Sequence, residues 1–205
     1  MMRVILASAS PRRRELLAAL ITEFDVIPSS VDETLTGDGF VDAERLAFAK
    51  AAAIFRQHPD VVVLGSDTVV YDEESSFAKP SDEADAFSMW KRLGGRRHTV
   101  ATGVAVISPG GEFQLTEAAE VELAPLSDRQ IRDYIDSGRP MDKAGGYAIQ
   151  DEDVPTVASL DGCYCCVMGL PLWTAKDLLE AAGVDCRSPD RTYERCGACP
   201  SRPSQ

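Results

Sequence analysis

Residues Val61 to Val70 constrain the fold more than any other stretch of the chain. They read V-V-V-L-G-S-D-T-V-V, an apolar run rich in β-branched side chains with no regular alternation. Such a run predicts a strand buried on both faces, and strands of that kind lie in sheets covered by helices. The elements around it alternate. Arg3 to Ala7 reads as a strand and Pro11 to Ile21 as a helix. Phe40 to His58 has helical spacing and ends before Pro59, and Ser81 to Leu93 is a helix stopped by Gly94-Gly95. Thr99 to Ile107 and Phe113 to Leu123 are strands joined by Ser108-Pro109-Gly110-Gly111, a hairpin signal. Ser127 to Gln130 is a capping box for a helix that ends near Gly138. Val167 to Gly169 is predicted to be a late strand, and Pro171 to Ala182 a final helix stopped by Gly183. Strand–helix order with one inserted hairpin predicts an α/β fold with a mixed sheet. A chain of 205 residues is one large domain or two small lobes. Linkers stay short until about Arg187, so residues 1–186 are expected to form the compact domain and 187–205 a flexible tail.

The first strand leads into Ser8-Ala9-Ser10-Pro11-Arg12-Arg13-Arg14. Ser10 is a good N-cap, and Pro11 suits the first helical position, where its missing N–H costs nothing. Three arginines in a first helical turn oppose the macrodipole by about 0.3–1 kcal/mol each. Arg13 occupies the capping-box position, so the turn has no carboxylate of its own. Free amides and guanidinium groups without a local anion point to an external one, most simply a phosphate. The bland alternative is a solvated basic turn.

A second constellation lies inside the apolar run, at Ser66-Asp67-Thr68. Burying a carboxylate costs several kcal/mol unless something pairs with it. Asp67 is therefore either bonded into a turn or used as a metal ligand or general base. Glu33 is a further candidate carboxylate, and Lys50 and Lys79 could supply phosphate charge, against the plain reading of exposed surface lysines. A third constellation is Asp142-Lys143-Ala144-Gly145-Gly146-Tyr147-Ala148-Ile149-Gln150. Its glycine pair allows close backbone approach to a ligand, and the Gln150 amide can both donate to and accept from a nucleobase edge. Otherwise it is an ordinary helix-to-strand loop.

A formal net charge of -12 argues against a nucleic-acid or anionic-membrane partner, but not against a small polyanion held in a locally basic pocket. The apolar run after Arg3 is too short for a signal peptide and no segment approaches a membrane span, so the cytoplasm is the expected location. All six cysteines fall between Cys163 and Cys199. Cys163, Cys165 and Cys166 sit in an apolar run and read as buried free thiols. Cys196-Gly197-Ala198-Cys199 is a lone C-x-x-C. Structural zinc there needs two more ligands, and Cys186 supplies one nearby, so a disordered, reduced tail is the expectation.

The turn SASPRRRELL, the strand GSDTVV, the pair Lys79-Pro80, the segment GRRHTVATGV, the loop DKAGGYAIQ and the late GLPL together resemble the Maf family of nucleoside triphosphate pyrophosphatases, in order and spacing from about Met2 to Gly183. The resemblance implies an elongated α/β fold similar to the inosine triphosphate pyrophosphatases, with two lobes around a central cleft. It implies hydrolysis between the α- and β-phosphates with a divalent cation, Mg²⁺ or Mn²⁺, and dimers as an expectation. By the same resemblance Asp67 is the proton acceptor that activates water. Ser8, Arg12 and Arg13 hold phosphates, Lys50 and Lys79 face the triphosphate, and Glu33 joins Asp67 at the metal. Arg12, Thr68 and Gln150 stand at the positions that separate base preferences, and they match the branch acting on dTTP and UTP, with modified pyrimidine nucleotides as further substrates. The alternatives are a 7-methyl-GTP-type enzyme and a nucleotide-binding regulator of septum formation with little turnover. Two departures stand out. Asp151-Glu152-Asp153-Val154 replaces a glycine-rich stretch, and Cys166 replaces an asparagine.

Overall fold

The structure, a computed structural model, describes residues 2–151 and 153–203. Its strands are β1 (Val4–Leu6), β2 (Asp25–Val26), β3 (Val62–Tyr71), β4 (Ser76–Phe77), β5 (Arg97–Ser108), β6 (Gly111–Leu123) and β7 (Val157–Asp161). Its helices are α1 (Pro11–Leu20), α2 (Gly39–Phe55), α3 (Glu83–Leu93), α4 (Asp128–Asp136), α5 (Tyr164–Met168), α6 (Leu172–Ala181) and α7 (Pro189–Thr192). The strands form one mixed sheet in the order β2-β1-β3-β5-β6-β7, with β4 added on β3. β1 runs parallel to β2 and β3, and the pairs from β3 through β7 are antiparallel. The α/β fold with a mixed sheet expected from the sequence is the one observed.

Strand β3 is covered on both faces, as its composition requires. Val62 and Leu64 pack with Leu16, Leu17 and Leu20 of α1 and Leu172 and Ala175 of α6. Val63, one residue out of phase, packs with Ala47, Ala51 and Ile54 of α2. A third core gathers at the other end of the long strands, where Val70, Val100 and Val121 meet Trp90 of α3 and Tyr134 of α4. The middle of β3 therefore lies between two packed ends, and a cleft opens there. Among the described residues no helix is long and apolar enough to cross a membrane.

Glycine sets how closely α2 approaches. A Cβ on Gly65 would fall against the Ala47 carbonyl oxygen, and one on Gly103 against the Ala43 carbonyl oxygen. Alanines at positions 43, 47 and 51 complete the close contact from the helix side.

Three expectations change. Val167 to Gly169 is not a strand. Cys163 caps the short helix α5, which ends at Gly169 in a left-handed conformation (φ 112°) with its N–H bonded back to the carbonyls of Cys165 and Cys166. Five apolar residues carry no periodicity that separates a helix turn from a strand. Strand β7, which pairs β6, has no counterpart in the sequence reading because its pattern is short and polar. The expected tail is packed rather than loose as far as residue 203. Arg187 N–H donates to the Leu20 carbonyl at 2.8 Å, the Trp173 indole donates to the Cys196 carbonyl at 3.1 Å, and Arg202 pairs with Asp190 at 2.6 Å.

The close approach of α2 predicts that Gly103→Ala destabilises the protein by about 3 kcal/mol, the upper end for overpacking a tight site. Guanidinium unfolding measures this. An unchanged midpoint would mean that the helix backbone does not rest on the sheet at this residue.

Candidate active site

The cleft encloses about 470 Å³. It is lined by Ser8 to Arg13, Glu33, Lys50, Asp67 to Val70, Lys79, Asp142 to Ala144 and Tyr147 to Gln150. The alternation of β3 sorts its polar residues. Asp67 follows Val63 and Gly65 onto the α2 face, opposite Gly103 on β5, whereas Thr68 pairs with Thr102 and points to the α1 side.

On the α2 face, Lys50 reaches between two carboxylates. Its ammonium donates to Glu33 Oε1 at 2.7 Å and to Asp67 Oδ1 in a short contact. Lys50 is 6% exposed and Asp67 7%. Glu33 is half-buried, and burial works to raise its carboxyl. The hydrogen bond and charge of Lys50, with Lys79 and Arg13 behind them, outweigh this and hold it below its usual range. The Glu33 loop is fixed by Arg45, which donates to the Thr34 carbonyl at 2.8 Å while pairing with the buried Asp42.

On the α1 face, Ser10 caps the helix, its hydroxyl accepting from Arg13 N–H at 3.4 Å. The Arg13 guanidinium donates to the Gly169 carbonyl at 2.9 Å, to Thr68 Oγ1 at 3.0 Å and to Ser8 Oγ at 3.4 Å. Burial lowers its affinity for the proton, and the negative charges of Asp67 and Glu33 oppose that. The expectation that these arginines lack an internal anion is corrected at Arg12, which pairs with Asp142 at 3.1 Å. The partner comes from 130 residues away, beyond the reach of local pattern. The Asp142 side chain is 57% exposed, so the pair is weak and a phosphate can displace it.

Lys79 and Gln150 line the same cleft. The structure thus brings together every residue singled out from the sequence: Ser8, Arg12, Arg13, Glu33, Lys50, Asp67, Thr68, Lys79 and Gln150. The acidic departure near Gln150 turns away from it. Asp151 accepts from the Tyr134 hydroxyl at 2.6 Å and Asp153 pairs with Arg139 at 2.6 Å, while Glu152 lies outside the described residues. Cys166 is buried behind the cleft, its thiol donating to the Glu117 carbonyl at 3.4 Å.

Sequence reasoning missed what holds the Gln150 segment. His98 Nε2 meets the Tyr147 hydroxyl at 2.7 Å, with the rings edge to face. The Trp90 indole donates to the Gly146 carbonyl at 2.8 Å. Gly145 and Gly146 both take positive φ, which lets the chain turn tightly beside Val70. A lone histidine heading an apolar strand was the available signal.

The description of the Maf-like protein family matches residues 3–182. The chain belongs to the Maf-like family. Relatives include the dTTP/UTP pyrophosphatase of Aquifex aeolicus, 42% identical over 172 residues, which are 83% of this chain and 90% of that protein. That of Koribacter versatilis is 43% identical over 185 residues, 89% of this chain and 96% of that protein. Among solved structures, the Staphylococcus aureus Ham1 protein matches with a TM-score of 0.45 at 18% identity, covering 60% of this chain and 72% of that one.

Burial lowers the His98 pKa in this Maf-like protein to about 4. The unfolded chain then takes up a proton before the folded one, near its ordinary value of about 6.5. Stability is complete above that value and falls by about 3 kcal/mol as pH drops from about 6.5 to about 4. Denaturant unfolding across this range tests it. His98→Gln should show a shallower fall, and an identical fall in both proteins would remove His98 as the cause.

Proposed function

We propose that this Maf-like protein hydrolyses nucleoside triphosphates between the α- and β-phosphates, giving the monophosphate and pyrophosphate. We infer dTTP and UTP as the preferred substrates, with modified pyrimidine nucleotides beside them, and house-cleaning of cytoplasmic nucleotide pools as the role. One observation carries the reading. A buried acid, Asp67, and a capped, arginine-rich helix mouth face the same cleft from opposite faces of one strand. Relatives above 40% identity bearing the name dTTP/UTP pyrophosphatase support the substrate.

In this mechanism Ser8, Arg12, Arg13 and Lys79 bind the triphosphate, and Arg12 exchanges Asp142 for phosphate. Asp67 accepts the proton of the attacking water, held in line with the α-phosphorus. Lys50 offsets one of the two carboxylate charges while no substrate is bound. Glu33 and Asp67 bond the same Lys50 nitrogen, so their oxygens lie close together and present hard donors. Two carboxylates plus phosphate oxygens suit Mg²⁺ or Mn²⁺. Glu33 and Asp67 would hold the ion, which supplies charge neutralisation of the phosphates when bound. Thr68 and Gln150 set the base preference, and a homodimer is the expected assembly.

A panel of dTTP, UTP, GTP and 7-methyl-GTP with Mg²⁺ or Mn²⁺, measuring both products, tests the reading. Release of single phosphate, or tight binding with no turnover, would overturn it, the latter in favour of a regulatory role. Asp67→Asn is expected to lower kcat by about 10²–10⁴ while nucleotide binding by calorimetry largely survives. Near-normal turnover would remove Asp67 as the base. Gln150→Glu is expected to cost about 10-fold or more in kcat/KM for dTTP and UTP, because an ionised carboxylate cannot donate and repels the polyanion. Equal kcat/KM for all four nucleotides in the unaltered protein would refute base reading and leave the pyrophosphatase intact.

A further inference from the structure

Arg13 is held by a chain of hydroxyls that reaches past the cleft wall. Its guanidinium donates to Thr68 Oγ1 at 3.0 Å, and Thr68 Oγ1 lies 2.9 Å from Thr102 Oγ1. Thr102 Oγ1 in turn donates to the Cys166 carbonyl at 2.7 Å. Thr102 stands on β5 directly opposite Thr68 on β3 and is fully buried. It lies behind the cleft lining rather than in it.

Proton counting fixes the direction of this chain. A threonine hydroxyl has one proton and two lone pairs. A carbonyl can only accept, so the Thr102 proton is committed to Cys166 and Thr102 must accept from Thr68. The Thr68 proton is thereby committed as well, and Thr68 accepts from Arg13. The hydrogen bonds run from Arg13 to Thr68, to Thr102, to the Cys166 carbonyl. Toward the cleft Thr68 keeps one lone pair and no proton, so it can meet a base only as an acceptor. The Cys166 carbonyl also accepts from Gly169 N–H at 3.0 Å, which fixes it at the end of α5.

Arg13 reaches α5 by a second route. Its Nε–H donates to the Gly169 carbonyl at 2.9 Å, and the buried Ser66 hydroxyl bonds the same carbonyl at 2.9 Å. A guanidinium has five N–H groups. Among the described residues, Gly169, Thr68 and Ser8 take three of them, one from each nitrogen. One N–H remains on each terminal nitrogen, the pair that a bidentate phosphate contact uses. We propose that Thr102 is a positioning residue for Arg13. Acting through Thr68, it holds one terminal nitrogen of the guanidinium so that the two remaining N–H groups are presented together to a phosphate. This rests on the reading of Arg13 as a phosphate-binding residue, and it gives a part to a side chain that touches no substrate. Thr102→Val removes the acceptor for the Thr68 proton and takes a donor from the Cys166 carbonyl. Thr68 is then free to rotate, and Arg13 loses the fixed end of one brace.

Inorganic tripolyphosphate, which carries the anion without a base, is the probe. Calorimetry on the full chain without added metal is expected to show Thr102→Val binding it about 3- to 10-fold more weakly, the worth of one buried hydrogen bond. Thr102→Ser keeps the hydroxyl and should bring the affinity back to within about 2-fold of the unaltered chain. In an Arg13→Ala background, Thr102→Val should cost less than about 2-fold more, because both residues act through one contact. Thr68→Val cuts the same chain at a half-buried position and should match Thr102→Val. It takes the place of that variant if Thr102→Val fails to fold. Unchanged tripolyphosphate affinity, the same loss with and without Arg13, or no rescue by serine would each overturn the role. So would a loss confined to dTTP and UTP, which would assign Thr102 to the base. Tripolyphosphate binding needs no turnover, so this result stands apart from the pyrophosphatase assay.

Discussion

The ion pair between Lys50 and Asp67 is the contact around which the rest of the molecule is arranged. Asp67 stands mid-strand with a helix over its face, where an unpaired carboxylate would cost several kcal/mol. Its partner must come from that helix, and a lysine can reach only if the helix lies low on the sheet. Gly65 and Gly103 on the strands, and Ala43, Ala47 and Ala51 on α2, provide that closeness. Removing either charge alone leaves the other buried. The polar centre thus depends on the packing of small residues around it, and the two cannot vary independently.

Strand alternation then decides the division of labour. Asp67 and Thr68 are neighbours in sequence and face opposite ways, one toward Lys50 and Glu33, the other toward Arg13. A substrate entering where the strand is open meets acids from one side and guanidinium groups from the other. This is how a protein of net charge -12 presents cations to a polyanion. The acids outside the cleft keep the surface negative, while Arg12, Arg13, Lys50 and Lys79 are concentrated within it.

Much of this was legible in the sequence because it depends on local chemistry. The buried strand, the capped α1, the capping box of α4 and the β5–β6 hairpin each carry their signal within a few residues, and each stands as read. Asp67 and the arginine turn were legible because they are of the wrong polarity for their surroundings, whereas Glu33, Lys50 and Lys79 gained their place in the site only through the family resemblance. What was not legible is pairing across long separations. Arg12 finds Asp142, Tyr147 finds His98, and Lys50 turns out to bridge two acids rather than stand free before a phosphate. Helix α5 failed for a different reason, since five apolar residues ending in glycine fit a strand as well as a helix turn.

The C-terminal segment shows the same limit most sharply. Its composition is that of a loose tail, and a lone C-x-x-C lacks the ligands for a metal. The contact that Cys196 makes stands some thirty positions earlier, at Cys165, where an apolar context makes the thiol look like an ordinary core residue. Only the fold brings the two segments to one place. The same α5 that carries Cys163 and Cys165 presents the Gly169 carbonyl to Arg13. Order in the C-terminal segment and the position of Arg13 in the cleft are therefore mechanically joined through a single short helix. A segment with almost no core of its own is then tied to the geometry of the cleft.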